Sequence, residues 1–254
     1  MRDSFRDIKS FCMFVGSPFS GHSLLGSLLD AHPHMVIAHE LGVLELVEAG
    51  FSRHQLYALL IDNSRRFAEI GRGWNGYPYR VDHQWQGRFE KLYVIGEKRG
   101  SRSTKKLESN PNLLPRLAQT VGSRVKLIHV VRNPYDNIST MHLRASQGRP
   151  VADSVDEYFS LCSTVAAIQK NVGDEDFLSL RHENIITEPK NSLMKVCHFL
   201  GLNCAEGYLN DCAKIVWEVP HKSCYDMEWN KSLIEMTKER LSRFDFLQGY
   251  SCWD

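Results

Sequence analysis

Short apolar runs alternate along the chain with longer stretches in which apolar residues recur every third or fourth position. Runs rich in β-branched and aromatic residues cover 11–15, 35–38, 92–95, 125–131 and 177–180, and each is expected to be a buried strand. Helical spacing covers 23–31, 55–70, 113–121, 135–145, 155–169, 191–200 and 232–244. Strands alternating with helices predict βαβ units, hence an α/β fold with a central, mostly parallel sheet of about five strands flanked by helices, of the P-loop NTPase-like kind. No internal repeat and no Pro/Gly/Ser-rich linker divides the 254 residues, so 1–254 is expected to be a single domain. The least regular long segment, 71–88, places Trp74, Tyr77, Tyr79 and Trp85 among glycines. It reads equally as a lid over an acceptor site and as a loop pinned by its own rings.

Composition narrows the function classes. A formal net charge of +1 argues against a general nucleic-acid binder, which would be strongly basic. The charged first ten residues lack the apolar core of a signal peptide. No stretch approaches the roughly 20 apolar residues of a membrane span, so a cytoplasmic protein without a membrane partner is expected. Seven cysteines form an odd set without a C-x-x-C pair, which predicts reduced thiols and neither a disulfide framework nor a metal site. Charge is dense only locally: the segment 98–106 holds five basic residues in nine.

Candidate chemistry begins where the first strand breaks. Gly16-x-x-x-x-Gly21-His22-Ser23 has the spacing of a phosphate-cradling P-loop, with His22 where an ATPase or kinase keeps lysine. Backbone N–H groups and the start of a helix still suit an anion. The group that reaches the terminal phosphates of a nucleoside triphosphate is missing.

Ligands of open α/β sheets sit beyond the carboxyl ends of the strands. The second strand candidate runs into His39 and Glu40, the third into Glu97, Lys98 and Arg99, the fourth into Arg132, and the fifth into Arg181 and His182. An aspartate in the place of Arg132 would help hold Mg²⁺; an arginine repels a metal and attracts a phosphate directly. Metal-free handling of a nucleotide follows.

Three segments, 16–23, 132–140 and 181–185, together resemble the sulfotransferases that use 3'-phosphoadenosine 5'-phosphosulfate (PAPS). The family's first loop, P-[KR]-S-G-T-[TS], is matched by Pro18, Phe19, Ser20, Gly21, His22 and Ser23. Its second element, an arginine with a hydroxyl eight residues on, is matched by Arg132 and Thr140, with Ser139 adjacent. Its R-Y-E-D-L segment is similar to Arg181–Ile185, with His182 in place of tyrosine. The resemblance spans roughly 11–250 and departs at Phe19 and His22, which replace a basic residue and a threonine.

The resemblance implies PAPS as co-substrate, no metal, and transfer of a sulfuryl group to a hydroxyl or amine. It further implies that residues 18–23 hold the 5'-phosphosulfate. Arg132 and Thr140 would hold the 3'-phosphate, with Lys222 and Ser223 as weaker candidates from a late loop. Glu40 follows Ala31-His32-Pro33 as the base does in the carbohydrate and protein-tyrosine enzymes, and Lys98 matches their lysine after the third strand. The expected catalytic group is therefore Glu40 as base, Lys98 as electrostatic stabiliser and His22 as a partial substitute for the missing loop cation. Read alone, a strand-end carboxylate is more often a helix cap, and His39 either orients Glu40 or packs. The acceptor expected is a small molecule or glycan. A P-loop small-molecule kinase, or a non-catalytic nucleotide-binding protein of the same fold, remains the alternative.

Overall fold

The computed structural model describes residues 5–252. The chain runs β1 (Ser10–Val15), α1 (His22–Asp30), β2 (Met35–His39), α2 (Val43–Glu48), α3 (Arg53–Glu69), a hairpin of β3 (Gly73–Trp74) and β4 (Tyr77–Pro78), and β5 (Val94–Lys98). It continues α4 (Gly100–Ser109), α5 (Leu113–Val121), β6 (Arg124–Val131), α6 (Pro134–Leu143), α7 (Val151–Val172), β7 (Phe177–Arg181), α8 (His182–Thr187), α9 (Pro189–Phe199), α10 (Glu206–Lys214) and α11 (Lys231–Leu241). The five-stranded sheet has the order β2-β5-β1-β6-β7, and all of its pairings are parallel.

Both faces of the sheet are covered, as its unbroken apolar strands require. Phe11, Met13 and Val15 of β1 join one core with α2, α3, α5 and α7, while Cys12 and Phe14 join the other with α1, α9 and α10. A third apolar cluster joins α6, the first half of α7 and α11. β1 is central, and the chain reaches β5 on one side of it before crossing to β6 on the other. That reversal opens a crevice at the carboxyl ends of β5, β1 and β6.

A buried ion pair ties the aromatic segment to this frame. Arg72 Nη1 donates to Asp30 Oδ2 at 2.6 Å, with side chains 2% and 0% exposed. Asp30 also accepts from the Ile37 N–H, Ser64 Oγ and the Gly87 N–H, so its charge is well solvated by the protein.

The strands fall where expected to within a few residues, with one informative displacement. The strand expected at 92–95 lies at Val94–Lys98, because Glu97 and Lys98 are themselves buried strand residues. Four helices were not predicted: α2, α4, α8 and α10. In α4, which takes up most of the basic segment 98–106, the buried face is Gly100, Ser103, Thr104 and Leu107, too polar to register as an apolar stripe. Segment 71–88 contains the short β3–β4 hairpin rather than loop alone. The cysteines among the described residues are free thiols, all buried except the half-buried Cys204.

Candidate active site

The loop after β1 is held from two sides. Gly16 N–H donates to Thr104 Oγ1 of α4 at 2.8 Å, and Asn137 Nδ2 of α6 donates to the Pro18 carbonyl at 2.9 Å. Ser20 Oγ lies 2.9 Å from both the Ser17 carbonyl and Asn137 Oδ1; it is buried and does not line the cleft, so it braces the loop rather than facing a ligand. Gly21 adopts φ +90, and a Cβ there would lie 2.2 Å from His182 Nδ1, so only glycine lets that ring pack beneath the loop. Helix α1 then starts without a side-chain cap and without an acidic residue in its first turn. Its first N–H groups lack helical partners and carry the positive end of the helix dipole.

His22 does not fill the place of the missing loop cation. Its Nε2 lies 3.1 Å from the Val15 carbonyl, to which it donates, and its ring packs against Gly16 and Gly100. Burial, helped by His129 and Lys98, pushes its pKa down to about 3, so the ring is neutral. His182 and His129 are likewise held neutral by burial, each with a pKa near about 3.

Across the loop, Lys98 Nζ donates to Glu40 Oε1 at 2.8 Å and to Ser23 Oγ at 2.9 Å. The lysine side chain is 4% exposed and the glutamate's 23%. Burial pulls the ammonium's pKa down while Glu40 opposes the shift and Arg102 adds to it. Gly26 makes this approach possible, since a Cβ there would meet the Lys98 side chain at 2.8 Å. Glu40 sits at φ +55, with its N–H donating to the Lys98 carbonyl at 3.0 Å. His39 stacks on Phe67 at 4.2 Å between centroids and meets Trp74 edge-on at 4.5 Å. Burial lowers its pKa to about 3, so of its two sequence readings the structure supports packing.

On the other side of the loop, Arg132 is 7% exposed, and its guanidinium meets only neutral oxygens. Nη1 donates to the Phe19 carbonyl at 3.4 Å and to Thr140 Oγ1 at 3.3 Å; Nη2 donates to the His221 carbonyl and to Ser223 Oγ at 3.1 Å. Thr140 Oγ1 and Ser223 Oγ are 2.9 Å apart. No ion pair of Arg132 occurs among the described residues, and a buried guanidinium without a counter-ion is an anion site in waiting. Of the two late-loop candidates, Ser223 is brought to Arg132, whereas Lys222 is exposed and does not line the cleft. Ser139 turns inward and accepts from Trp229 Nε1 at 3.0 Å.

These groups face one cavity of about 650 Å³, lined among others by Pro18, Phe19, Gly21, His22, Ser23, Glu40, Lys98, Arg132, Thr140 and Ser223. Arg144, Arg102 and Trp217, not singled out from sequence, complete it together with Trp74 and Tyr77 of the aromatic segment. Arg144, one helical turn beyond Thr140, holds its guanidinium 5.9 Å from the Phe19 ring centroid, and Arg102 lines the cavity beside Lys98. Trp74 and Tyr77 of the hairpin and Trp217 of the late loop form an aromatic wall, with Tyr77 and Trp217 centroids 5.4 Å apart. Spacing on α6 could have found Arg144, since 140 and 144 share a helix face.

Donor chemistry speaks against a cation here: the walls present lysine and arginines, and Glu40 is already paired. Elsewhere, His32, Cys197 and Cys204 bring possible ligand atoms within 4.8 Å of one another. Both ring nitrogens of His32 are engaged, however. Nδ1 accepts the His34 N–H at 3.1 Å, so Nε2 carries the proton, which it donates to the Asn203 carbonyl at 3.0 Å.

Fold and cleft together define a P-loop-like α/β protein that gathers cations and backbone N–H groups at the carboxyl edge of a parallel sheet. A model of the sulfotransferase family matches residues 13–206, and the chain belongs to that family. Solved structures agree in fold. The sulfotransferase domain of the Synechococcus PCC 7002 olefin synthase is 19% identical, with TM-score 0.60 over 92% of this chain and 94% of that one. The Alicyclobacillus acidocaldarius sulfotransferase is 17% identical, with TM-score 0.51 over 93% and 94%. Mouse sulfotransferase SULT7A1, solved in complex with PAP, is 14% identical, with TM-score 0.52 over 95% and 87%. A comparison with curated proteins finds no match. No helix among the described residues is long and apolar enough to cross a membrane.

Proposed function

We propose that the protein transfers a sulfuryl group from PAPS to a hydroxyl or amine of a small-molecule or glycan acceptor, without a metal. The observation that carries this reading is the flanking of one anion-binding loop by two different groups: a buried arginine with neutral partners on one side, and a lysine–glutamate pair on the other. Arg132, Thr140 and Ser223 hold the 3'-phosphate, which supplies the charge that the guanidinium lacks. Arg144, reaching over Phe19, adds a second cation to that side. The N–H groups of residues 21–23 and Ser23 Oγ hold the 5'-phosphosulfate at the start of α1. Tyr77 and Trp217 offer a ring platform for the adenine.

Glu40 accepts the acceptor's proton as the acceptor oxygen or nitrogen attacks sulfur, and the sulfur–oxygen bond to the nucleotide phosphate breaks. Lys98, fixed between Glu40 and Ser23, lies where charge builds on the sulfuryl oxygens and the leaving oxygen. By analogy with phosphoryl transfer, the transition state is loose and in-line, so positioning and fixed charge do most of the work. His22 has a supporting role, holding the loop through Val15 while neutral.

The test is transfer of labelled sulfate from PAPS across a panel of phenols, alcohols, amines and glycans, comparing wild type with Glu40→Gln. Turnover that needs PAPS and drops about 10²–10⁴-fold in the variant is expected. Near wild-type turnover in Glu40→Gln removes the base assignment. Tight PAP binding with no transfer to any acceptor favours a non-catalytic nucleotide-binding protein.

A further inference from the structure

Two consecutive residues of β5 point to opposite faces of the sheet. Lys98 lies along α1 and reaches Glu40; Glu97, fully buried at 0% exposure, points to the other side and meets the beginning of α2. There its two carboxyl oxygens are both used: Oε2 accepts the Gly42 N–H at 2.7 Å and Oε1 accepts the Val43 N–H at 2.8 Å. One residue, Leu41, separates these amides from Glu40. The corner 40–43 therefore receives three bonds from 97–98, counting that from the Glu40 N–H to the Lys98 carbonyl at 3.0 Å. This many constraints suit a non-glycine residue at φ +55, a sparsely populated conformation that persists only where its surroundings over-determine it.

We propose that Glu97 is a positioning residue for the transfer reaction: its carboxylate locks the turn that presents Glu40 to the cleft, and its protonation loosens that turn. The inference rests on the role given above to Glu40. An ionised carboxylate can accept from both amides; a carboxylic acid turns one of its oxygens into a donor facing an N–H group. The charged groups around Glu97 are Arg99 at the end of its own strand, Glu45 on α2 and the Lys98 ammonium. Burial outweighs the two amide bonds and Arg99, and pushes the carboxyl up to about 7. Activity then has an acid limb near neutrality set by Glu97.

Glu97→Gln keeps the size and removes the charge, leaving one acceptor oxygen and an NH₂ group against the second amide. The expected result is a kcat lower by about tenfold to a hundredfold, as a misplacement of order 1 Å produces, and a PAP dissociation constant within about twofold of wild type. The acid limb near pH 7 disappears from the variant's kcat profile, and Glu97→Asp recovers part of the rate together with an acid limb. In wild type, the amide proton shifts of Gly42 and Val43 move together through a midpoint near 7, and the carboxyl carbon of Glu40 responds at the same midpoint; neither titration occurs in Glu97→Gln. A kcat and pH profile unchanged in Glu97→Gln overturn the proposal, and so does the absence of these amide and Glu40 titrations in wild type. If wild type transfers no sulfate to any acceptor, the function proposed above fails on its own, while the spectroscopic titrations still decide whether Glu97 controls the Glu40 turn.

Discussion

Arg132→Ala separates a 3'-phosphate site from a generally basic cleft. The guanidinium is 7% exposed, and its neighbours are two carbonyls and two hydroxyls, none of which can neutralise it. Burial accordingly pulls its pKa downward, with Asp136 and Glu183 opposing at longer range. A phosphate placed there gains charge-assisted hydrogen bonds in a poorly hydrated site, each worth about 1.5–3 kcal/mol. A loss of about 3 kcal/mol on truncation is a conservative expectation, equal to roughly a hundredfold in the dissociation constant. Adenosine 5'-phosphate, which lacks the 3' group, should lose almost nothing.

Calorimetry with adenosine 3',5'-bisphosphate and adenosine 5'-phosphate on both proteins reads this difference directly. Thermal unfolding offers a second reading. Ligand at about 100 times the wild-type dissociation constant stabilises wild type by about 2.7 kcal/mol, against about 0.4 kcal/mol for a variant whose constant has risen roughly a hundredfold. At about 2–4 °C per kcal/mol for a chain of this size, the ligand-induced shift in Tm falls from roughly 5–11 °C to about 1 °C. Using the shift rather than Tm itself removes any change in the free protein. Equal losses for the two nucleotides would refute the assignment, because Arg132 would then be acting on the 5' end or on the fold.

Other outcomes follow from the same geometry. Arg72→Leu, which leaves Asp30 charged and buried at 0% exposure, should cost about 3–5 kcal/mol and lower Tm by roughly 10 °C; an unchanged Tm would mean that Ser64 and the two backbone amides suffice. Lys98→Met should cut kcat by more than tenfold while changing PAP affinity little; a loss of affinity with kcat intact would place the ammonium on the ground-state nucleotide instead. Glu97, with its pKa raised from 4.5 to about 7, contributes stability that is fully present below about 4.5 and lost as pH rises through about 7. Glu97→Gln should therefore gain on wild type by up to about 3 kcal/mol between pH 5 and 8 in denaturant titrations. The opposite sign holds for His22, His39, His129 and His182, whose pKa values are depressed from 6.5 to about 3: their contribution is present above about 6.5 and is lost as pH falls toward 3. Urea midpoints should decline across that acid range, and a flat profile would show that these rings ionise in place.

Glu40, Lys98 and Arg132 were legible in the sequence because each ends or follows an apolar run, and a parallel sheet gathers strand ends at one edge. Irregular backbone hid the rest. The late loop could not be placed in register from sequence, so Lys222 and Ser223 stood as equals although only Ser223 reaches the cleft. The basic stretch after β5 showed no helical stripe because the face it buries in α4 is mostly Gly, Ser and Thr. Thr104, on that face, is the residue that binds the Gly16 amide. Side-chain direction was equally unreadable at His22, which occupies a P-loop position yet turns its Nε2 to the end of β1.

The missing loop cation thus becomes a question of where charge enters the cleft from elsewhere. In this chain the loop contributes only N–H groups, a hydroxyl and the field of α1, all of fixed polarity and none of them titrating. Positive side-chain charge comes instead from outside the loop: Lys98 on one side, at 2.9 Å from Ser23, and Arg132 with Arg144 on the other, Arg144 lying against the very ring that replaces the family's basic residue. Lys98 is shared with Glu40, so the proposed base and the proposed electrostatic stabiliser are coupled. In the proposed transfer, protonation of Glu40 by the acceptor would quench its negative charge and free the Lys98 ammonium to face the sulfuryl and leaving-group oxygens at the moment their charge grows. A lysine inside the loop would provide that charge whether or not an acceptor were bound. Under the proposed mechanism, supplying it from β5 through an ion pair that proton transfer loosens would tie charge stabilisation to the arrival of the acceptor and disfavour loss of the sulfuryl group to water.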